Sequence, residues 1–290
     1  MDTAELLKKV RKIEIKTKGL TKHVFSGDYH SAFKGRGMAF SEVRDYQYGD
    51  DVRNIDWNVT ARTGGPHVKI FEEERELTVM LLIDVSASVF FGTQSKWKNE
   101  LMTELAAVIA FSAITNNDKV GAILFSDHIE KYLPPKKGKQ NILRIIRELV
   151  NFSPSGQKTN ISEPLIYLNN IEKKRSIAFL LSDFKSENYD QALNIASKKH
   201  DVIGVHIWDE REQTLPDVGL IYVSDNEQGS KKLIDTSDPN VRNQYTKYYQ
   251  TSMDVMRKSF AQSKSDTISI STEEDYIKAM QIFFKKRARR

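Results

Sequence analysis

Asp84, Ser86 and Ser88 stand at alternate positions directly after an uncharged, largely apolar run, residues 77–83. Alternate side chains of an extended segment project to the same side, so one carboxylate and two hydroxyls can converge on one point. A second apolar run, residues 177–181, ends in Ser182-Asp183. Between the two lies the polar loop Ser153-Pro154-Ser155-Gly156-Gln157-Lys158-Thr159-Asn160, in which Thr159 offers a third hydroxyl. Two carboxylates held close together cannot both stay charged cheaply, and a divalent cation removes that penalty. An oxygen-only set with few formal charges suits Mg²⁺, or Mn²⁺, rather than zinc. The candidate metal ligands are therefore Asp84, Ser86, Ser88, Thr159 and Asp183. The competing reading is local polarity: Asp84, Ser86 and Ser88 at a strand-end turn whose side chains cap the next helix, Thr159 or Ser162 capping the helix over 162–172, and Asp183 with Ser186 as loop polarity.

The elements that would carry these residues are legible in the apolar pattern. Runs at 77–83, 120–125, 177–181, 202–208 and 267–271 read as strands, with a short edge strand at 129–133 and a further candidate at 219–223. Helices are expected over 95–116, 139–151, 162–172, 188–199, 238–262 and 273–285, with Leu101, Leu105, Val108 and Phe111 on a core stripe. Strands alternating with helices predict an α/β fold, a doubly wound, mostly parallel sheet covered on both faces. In such a sheet ligands bind beyond the carboxyl ends of the strands where the strand order reverses, and the fourth strand lies beside the first. That places Asp183 next to Asp84.

Residues 1–75 look different from residues 76–290. A short amphipathic helix is expected over residues 3–13, with Leu6, Leu7, Val10 and Ile13 on one face. Residues 20–75 are rich in Gly, Arg, Asp and aromatics and read as an irregular segment with a small β element near 67–72. The charges Arg44, Asp45, Asp50, Asp51, Arg53, Asp56 and Arg62 are expected to form a buried or semi-buried ion-pair network, the alternative being a recognition surface.

The chain has 290 residues, and five of its net charge of +5 come from the tail at 285–290. A basic nucleic-acid footprint is therefore not indicated, and the tail reads as a solvated helix end. The absence of cysteine excludes disulfides, thiolate metal sites and a thiol nucleophile. His23, His30, His67, His128, His200 and His206 lack ligand spacing. No apolar run approaches the ~20 residues that span a bilayer, and no secretory leader is evident, so the expected compartment is the cytoplasm.

Asp84-x-Ser86-x-Ser88, Thr159 and Asp183 together resemble the metal-ion-dependent adhesion site (MIDAS) of von Willebrand factor type A domains. In that family a partner's carboxylate commonly completes the cation's shell. Gly35-Arg36-Gly37-x-x-Phe40-x-x-Val43-Arg44-x-Tyr46-x-x-Gly49-Asp50-Asp51-x-Arg53-x-Ile55-Asp56-Trp57, followed by Ala61-Arg62, resembles the signature of the family called domain of unknown function 58. The resemblance covers roughly residues 20–235. It implies a metal-dependent adaptor that binds an acidic segment of a protein partner and works with a MoxR-type AAA+ ATPase. The alternative is a Mg²⁺-dependent hydrolase or phosphotransferase at the same site. Against it, an aspartyl phosphotransferase's DxDx[TV] needs an acid where Ser86 stands, and neither a GxSxG elbow nor a P-loop is present.

Overall fold

The structure is a computed structural model that describes residues 11, 38–73, 77–92, 96–156, 158–224 and 231–289. Apart from residue 11, the helix expected over 3–13 lies outside the described residues, as does Gly35-Arg36-Gly37. The chain divides into two compact units, Phe33–Glu76 and one built on Leu77–Arg290. Among the described residues no helix is long and apolar enough to cross a membrane.

In the smaller unit β1 (Met38–Asp45) pairs antiparallel with β2 (His67–Glu73), with a register shift between Phe40 and Glu42. Between them α1 (Trp57–Thr63) starts on Asp56, whose side chain accepts from the Asn58 and Val59 amides, and ends at Gly64 with φ 78°. The expected single ion-pair network is instead a set of separate pairs. Arg44 holds Asp50 through two bonds of 2.9 Å, Arg53 holds Asp51 at 2.7 Å, His67 meets Asp45 at 3.1 Å and Lys69 meets Asp56 at 3.4 Å. The Arg53–Asp51 pair is exposed, so water screens it; it holds a turn rather than a buried junction.

The larger unit is built on six strands: β3 (Thr78–Asp84), β4 (Lys119–Phe125), β5 (Ile129–Lys136), β6 (Ile177–Ser182), β7 (Asp201–Trp208) and β10 (Asp266–Ser271). Their order is β10-β7-β6-β3-β4-β5. Only residues 126–128 separate β4 from β5, too few for a crossover, so this pair is antiparallel and the rest are parallel. The strand order reverses between β3 and β6, and the pairing Ile83↔Leu181 sets the two strand ends side by side. The expected strand at 219–223 is β8 (Leu220–Ser224), which leaves the main sheet to pair with β9 (Lys231–Asp235).

Both faces of the sheet are covered. Met80, Leu82, Ala178 and Leu180 pack with α4 (Ser162–Ile171), α5 (Asp190–Lys199) and α7 (Pro239–Gln262) through Leu165, Leu193 and Phe260. Phe179, on the opposite face, meets Phe284 of α8 (Tyr276–Ala288) edge-on at 6.5 Å. That face also carries α2 (Lys98–Thr115), buried along most of its length, and α3 (Lys139–Asn151). Gly204 is required on β7, since a Cβ there would lie 2.6 Å from the Phe260 ring. The tail differs from a simple solvated end: Arg287 pairs with Asp266 at 2.9 Å and with Asp201, pinning α8 to the starts of β10 and β7.

His206 on β7 is buried and shares a 2.7 Å hydrogen bond with Ser269. Burial pulls its pKa down to about 4, with Lys98 adding to the effect and Asp183 opposing it. The unfolded chain therefore takes up this proton first, and stability is lost as pH falls from about 6.5 towards 4. In urea unfolding at pH 7 and pH 4.5, the parent should lose roughly 2–3 kcal/mol relative to His206→Gln. Equal losses in the two proteins would show that His206 is not held neutral.

Candidate metal centre

β3 delivers Asp84, only 1% exposed, at its carboxyl end. The chain turns sharply there, because Asp84 Oδ1 accepts from the Ser86 amide at 2.9 Å. Across the parallel pairing, the Ser182 hydroxyl donates to Asp84 Oδ2 at 2.6 Å. Phe184, with φ 56°, bends the chain after β6 while its amide donates to Ser182 Oγ.

The three hydroxyls meet. Thr159 Oγ1 donates to Ser86 Oγ at 2.8 Å, and Ser86 Oγ lies 3.1 Å from Ser88 Oγ. The Ser88 hydroxyl in turn hydrogen-bonds Asp183, and that of Ser86 hydrogen-bonds Asp84. A continuous polar chain thus joins all five residues named from the sequence. Ser86 makes no side-chain cap, and α4 begins without one from either Thr159 or Ser162. Instead Asn160 Oδ1 receives the Ser162 amide at 3.1 Å.

Three further groups, not anticipated from the sequence, hold Thr159 in place. Glu130 of β5 accepts from the Ser155 and Gly156 amides at 3.0 and 2.8 Å and from the hydroxyls of Ser126 and Ser155. Burial alone would raise the Glu130 pKa, but these donors keep it below the usual range. Gly156 has no room for a side chain, since a Cβ would lie 2.3 Å from Asp127 Oδ1 and Ser126 Oγ. The Ser186 hydroxyl accepts from the Ile161 amide at 3.2 Å, tying this loop to the one after β6.

Behind Asp183 lies a buried ion cluster that the sequence reading also missed. Lys98, the first residue of α2 and fully buried, donates to Asp183 Oδ2 at 2.8 Å and to Glu212 Oε1 at 2.6 Å. Glu212 sits on the short α6 (Glu210–Gln213) beyond β7 and also receives Lys185 Nζ at 2.6 Å. Its other oxygen accepts from the Asp209 amide.

The two aspartates consequently differ. Burial alone would raise Asp183, but Lys98 and Lys185 outweigh it and hold that carboxyl well below the usual range. Asp84 is met by hydroxyls and an amide, and burial followed by the charge of Asp183 pushes it up to about 7. Among the described residues no cluster of three or more His, Cys, Asp or Glu is arranged to hold a metal ion. A cation here would rest on two carboxylates and three linked hydroxyls. The donor chemistry fits a hard divalent ion, and the buried, raised carboxylate of Asp84 is the charge such an ion would relieve.

Residues 42–254 match the family model described as "Protein of unknown function DUF58". The chain is 29% identical over 292 residues to the uncharacterized protein Rv1480 of Mycobacterium tuberculosis (strain ATCC 25618 / H37Rv), with 100% of this chain and 92% of that protein covered. Similar solved structures include the conserved hypothetical protein BatB from Bacteroides thetaiotaomicron, with TM-score 0.48 and 18% identity over 74% of this chain and 100% of that one. The SpRpn10 VWA domain has TM-score 0.39 and 9% identity over 71% of this chain and 93% of that one.

The raised Asp84 carboxyl destabilises the cation-free fold as pH rises from about 4 to about 7, because the unfolded chain ionises first. Without divalent cations at pH 8, Asp84→Asn should therefore be more stable than the parent, by roughly 4 kcal/mol. Chemical unfolding in chelator checks this; a less stable variant would mean that Asp84 is not an uncompensated charge.

Proposed function

The chain belongs to the family of proteins of unknown function DUF58, and from its strand-end geometry we propose that it is a metal-dependent protein-binding adaptor rather than an enzyme. Asp84, Ser86, Ser88, Thr159 and Asp183 hold Mg²⁺ or Mn²⁺, directly or through water, and an acidic side chain of a protein partner completes the shell. The observation that carries this reading is the hydrogen-bonded chain joining those five residues, drawn from three separate loops at the point where strand order reverses. Close by in sequence, Phe90 and Trp97 are exposed, and aromatic residues are enriched where proteins dock.

The partner is a MoxR-type AAA+ ATPase, or an acidic segment of a protein on which that ATPase works. The support for the ATPase is the resemblance of the segment around 35–62 and of the five-residue motif. The expected compartment is the cytoplasm, where such an ATPase would meet it.

Adding Mg²⁺ or Mn²⁺ should stabilise the parent by about 2.7 kcal/mol at a hundredfold excess over Kd. Asp84→Asn and Thr159→Val should lose most of that gain. Thermal unfolding with and without chelator measures it, and a pull-down of the ATPase should need the cation in parallel. A parent indifferent to both ions would reject the site. Mg²⁺-dependent turnover of phosphate esters by the parent, abolished in Asp84→Asn, would favour the hydrolase instead.

A further inference from the structure

The buried ion cluster at the ends of β6 and β7 contains a fully buried ammonium, Lys98 Nζ, shared between Asp183 and Glu212. Lysine is seldom fully buried, and then only when paired. Here the pairing is uneven. Lys98 and Lys185 converge on Glu212 Oε1, each at 2.6 Å, and Lys98 also reaches Asp183 at 2.8 Å. The contacts on Asp84 are hydroxyls and its own turn's amide. Asp183 and Glu212 are thus met by two ammonium groups, whereas the contacts on Asp84 bring no positive charge until a cation arrives.

Resting on the metal reading above, we infer that Lys98 is the positioning residue that sets the charge of the cation site. By neutralising Asp183 from inside, it makes the loaded site net positive, and so selective for a partner's carboxylate. A divalent ion added to one negative charge leaves one positive charge. Without Lys98 the loaded site would be neutral and would have little Coulomb attraction for an acidic side chain. The same ammonium opposes the cation itself, so the site is weak when alone and strengthens when a carboxylate arrives. Glu212 acts in the opposite sense: it holds Lys98 in place and offsets part of its charge.

These opposite signs separate the inference from a merely structural role. Mn²⁺ binding is titrated by calorimetry and by the electron paramagnetic resonance of the free ion, with acetate as the carboxylate probe. Lys98→Met should bind Mn²⁺ about tenfold more tightly or better, since a unit charge within a few ångströms in a partly dry site is worth at least that much. Its Mn²⁺ affinity should no longer improve with acetate. Glu212→Gln, close to isosteric, should bind Mn²⁺ about tenfold more weakly, and Lys98→Arg should resemble the parent. Should Lys98→Met fail to fold, Glu212→Gln decides alone. Unchanged affinity in either folded variant, or weakening in both, overturns the role of Lys98 while leaving the metal site standing. Absence of Mn²⁺ binding in both the parent and Lys98→Met removes the metal reading and this inference with it.

Discussion

Parallel pairing of β3 with β6 fixes the central problem of this molecule. Once Ile83 is set against Leu181, Ser182 falls opposite Asp84 and Asp183 follows one residue on, so the two carboxylates leave neighbouring strand ends. Both are 1% exposed, so water cannot screen their repulsion. The surroundings can be read as responses to that constraint. Ser182, opposite Asp84, turns its hydroxyl onto the carboxylate. Lys98 and Lys185 hold Asp183 ionised, and the remaining strain is concentrated on Asp84.

A site of this kind works only if its oxygens are already in place, because ordering a loop at the moment of binding consumes affinity. Thr159 lies on the connection between α3 and α4, whose described residues form no helix or strand. Its position is nevertheless fixed from three sides: by Glu130 on the Ser155 and Gly156 amides, by Ser126 O accepting from the Asn160 amide at 2.8 Å, and by Ser186 on Ile161. Gly156 permits the close approach on which the first of these depends. The described residues on either side of Thr159 are therefore held by the body of the domain.

How much of this could be read from the chain follows from the range of the interactions. Strand cores such as residues 79–83 and 177–181 announce themselves because burial on both faces demands an unbroken apolar run. The strand order follows from short parallel crossovers, and with it came the juxtaposition of Asp84 and Asp183. What escaped depends on partners distant in sequence. Lys98 stands 85 residues before Asp183 and 114 before Glu212, and a single lysine opening an apolar helix carries no local mark of burial. Glu212 sits on a helix of four residues, too short for any periodicity. β9, Lys-Lys-Leu-Ile-Asp, lacks the apolar run of a core strand because most of its side chains are exposed. In residues 38–73 propensity is overruled by turns, caps such as Asp56, and local charge pairs such as Arg44–Asp50.

The buried ion cluster is itself an argument about purpose. Burying charges carries a desolvation penalty that their mutual attraction often fails to recover, and apolar replacements of similar volume are frequently neutral or stabilising. A fold selected for stability alone would place leucine or methionine at 98 and 212, in a neighbourhood already supplied with Leu101, Met102 and Leu105. Keeping Lys98, Asp183 and Glu212 there, with Asp84 held towards its neutral form, sacrifices stability in the unliganded protein. On the proposed reading, that sacrifice would be recovered when a cation arrives at Asp84 and an acidic partner follows it. The cluster is therefore best understood through the loaded state: its arrangement matches the sequence of charges that a cation and then an acidic partner would bring.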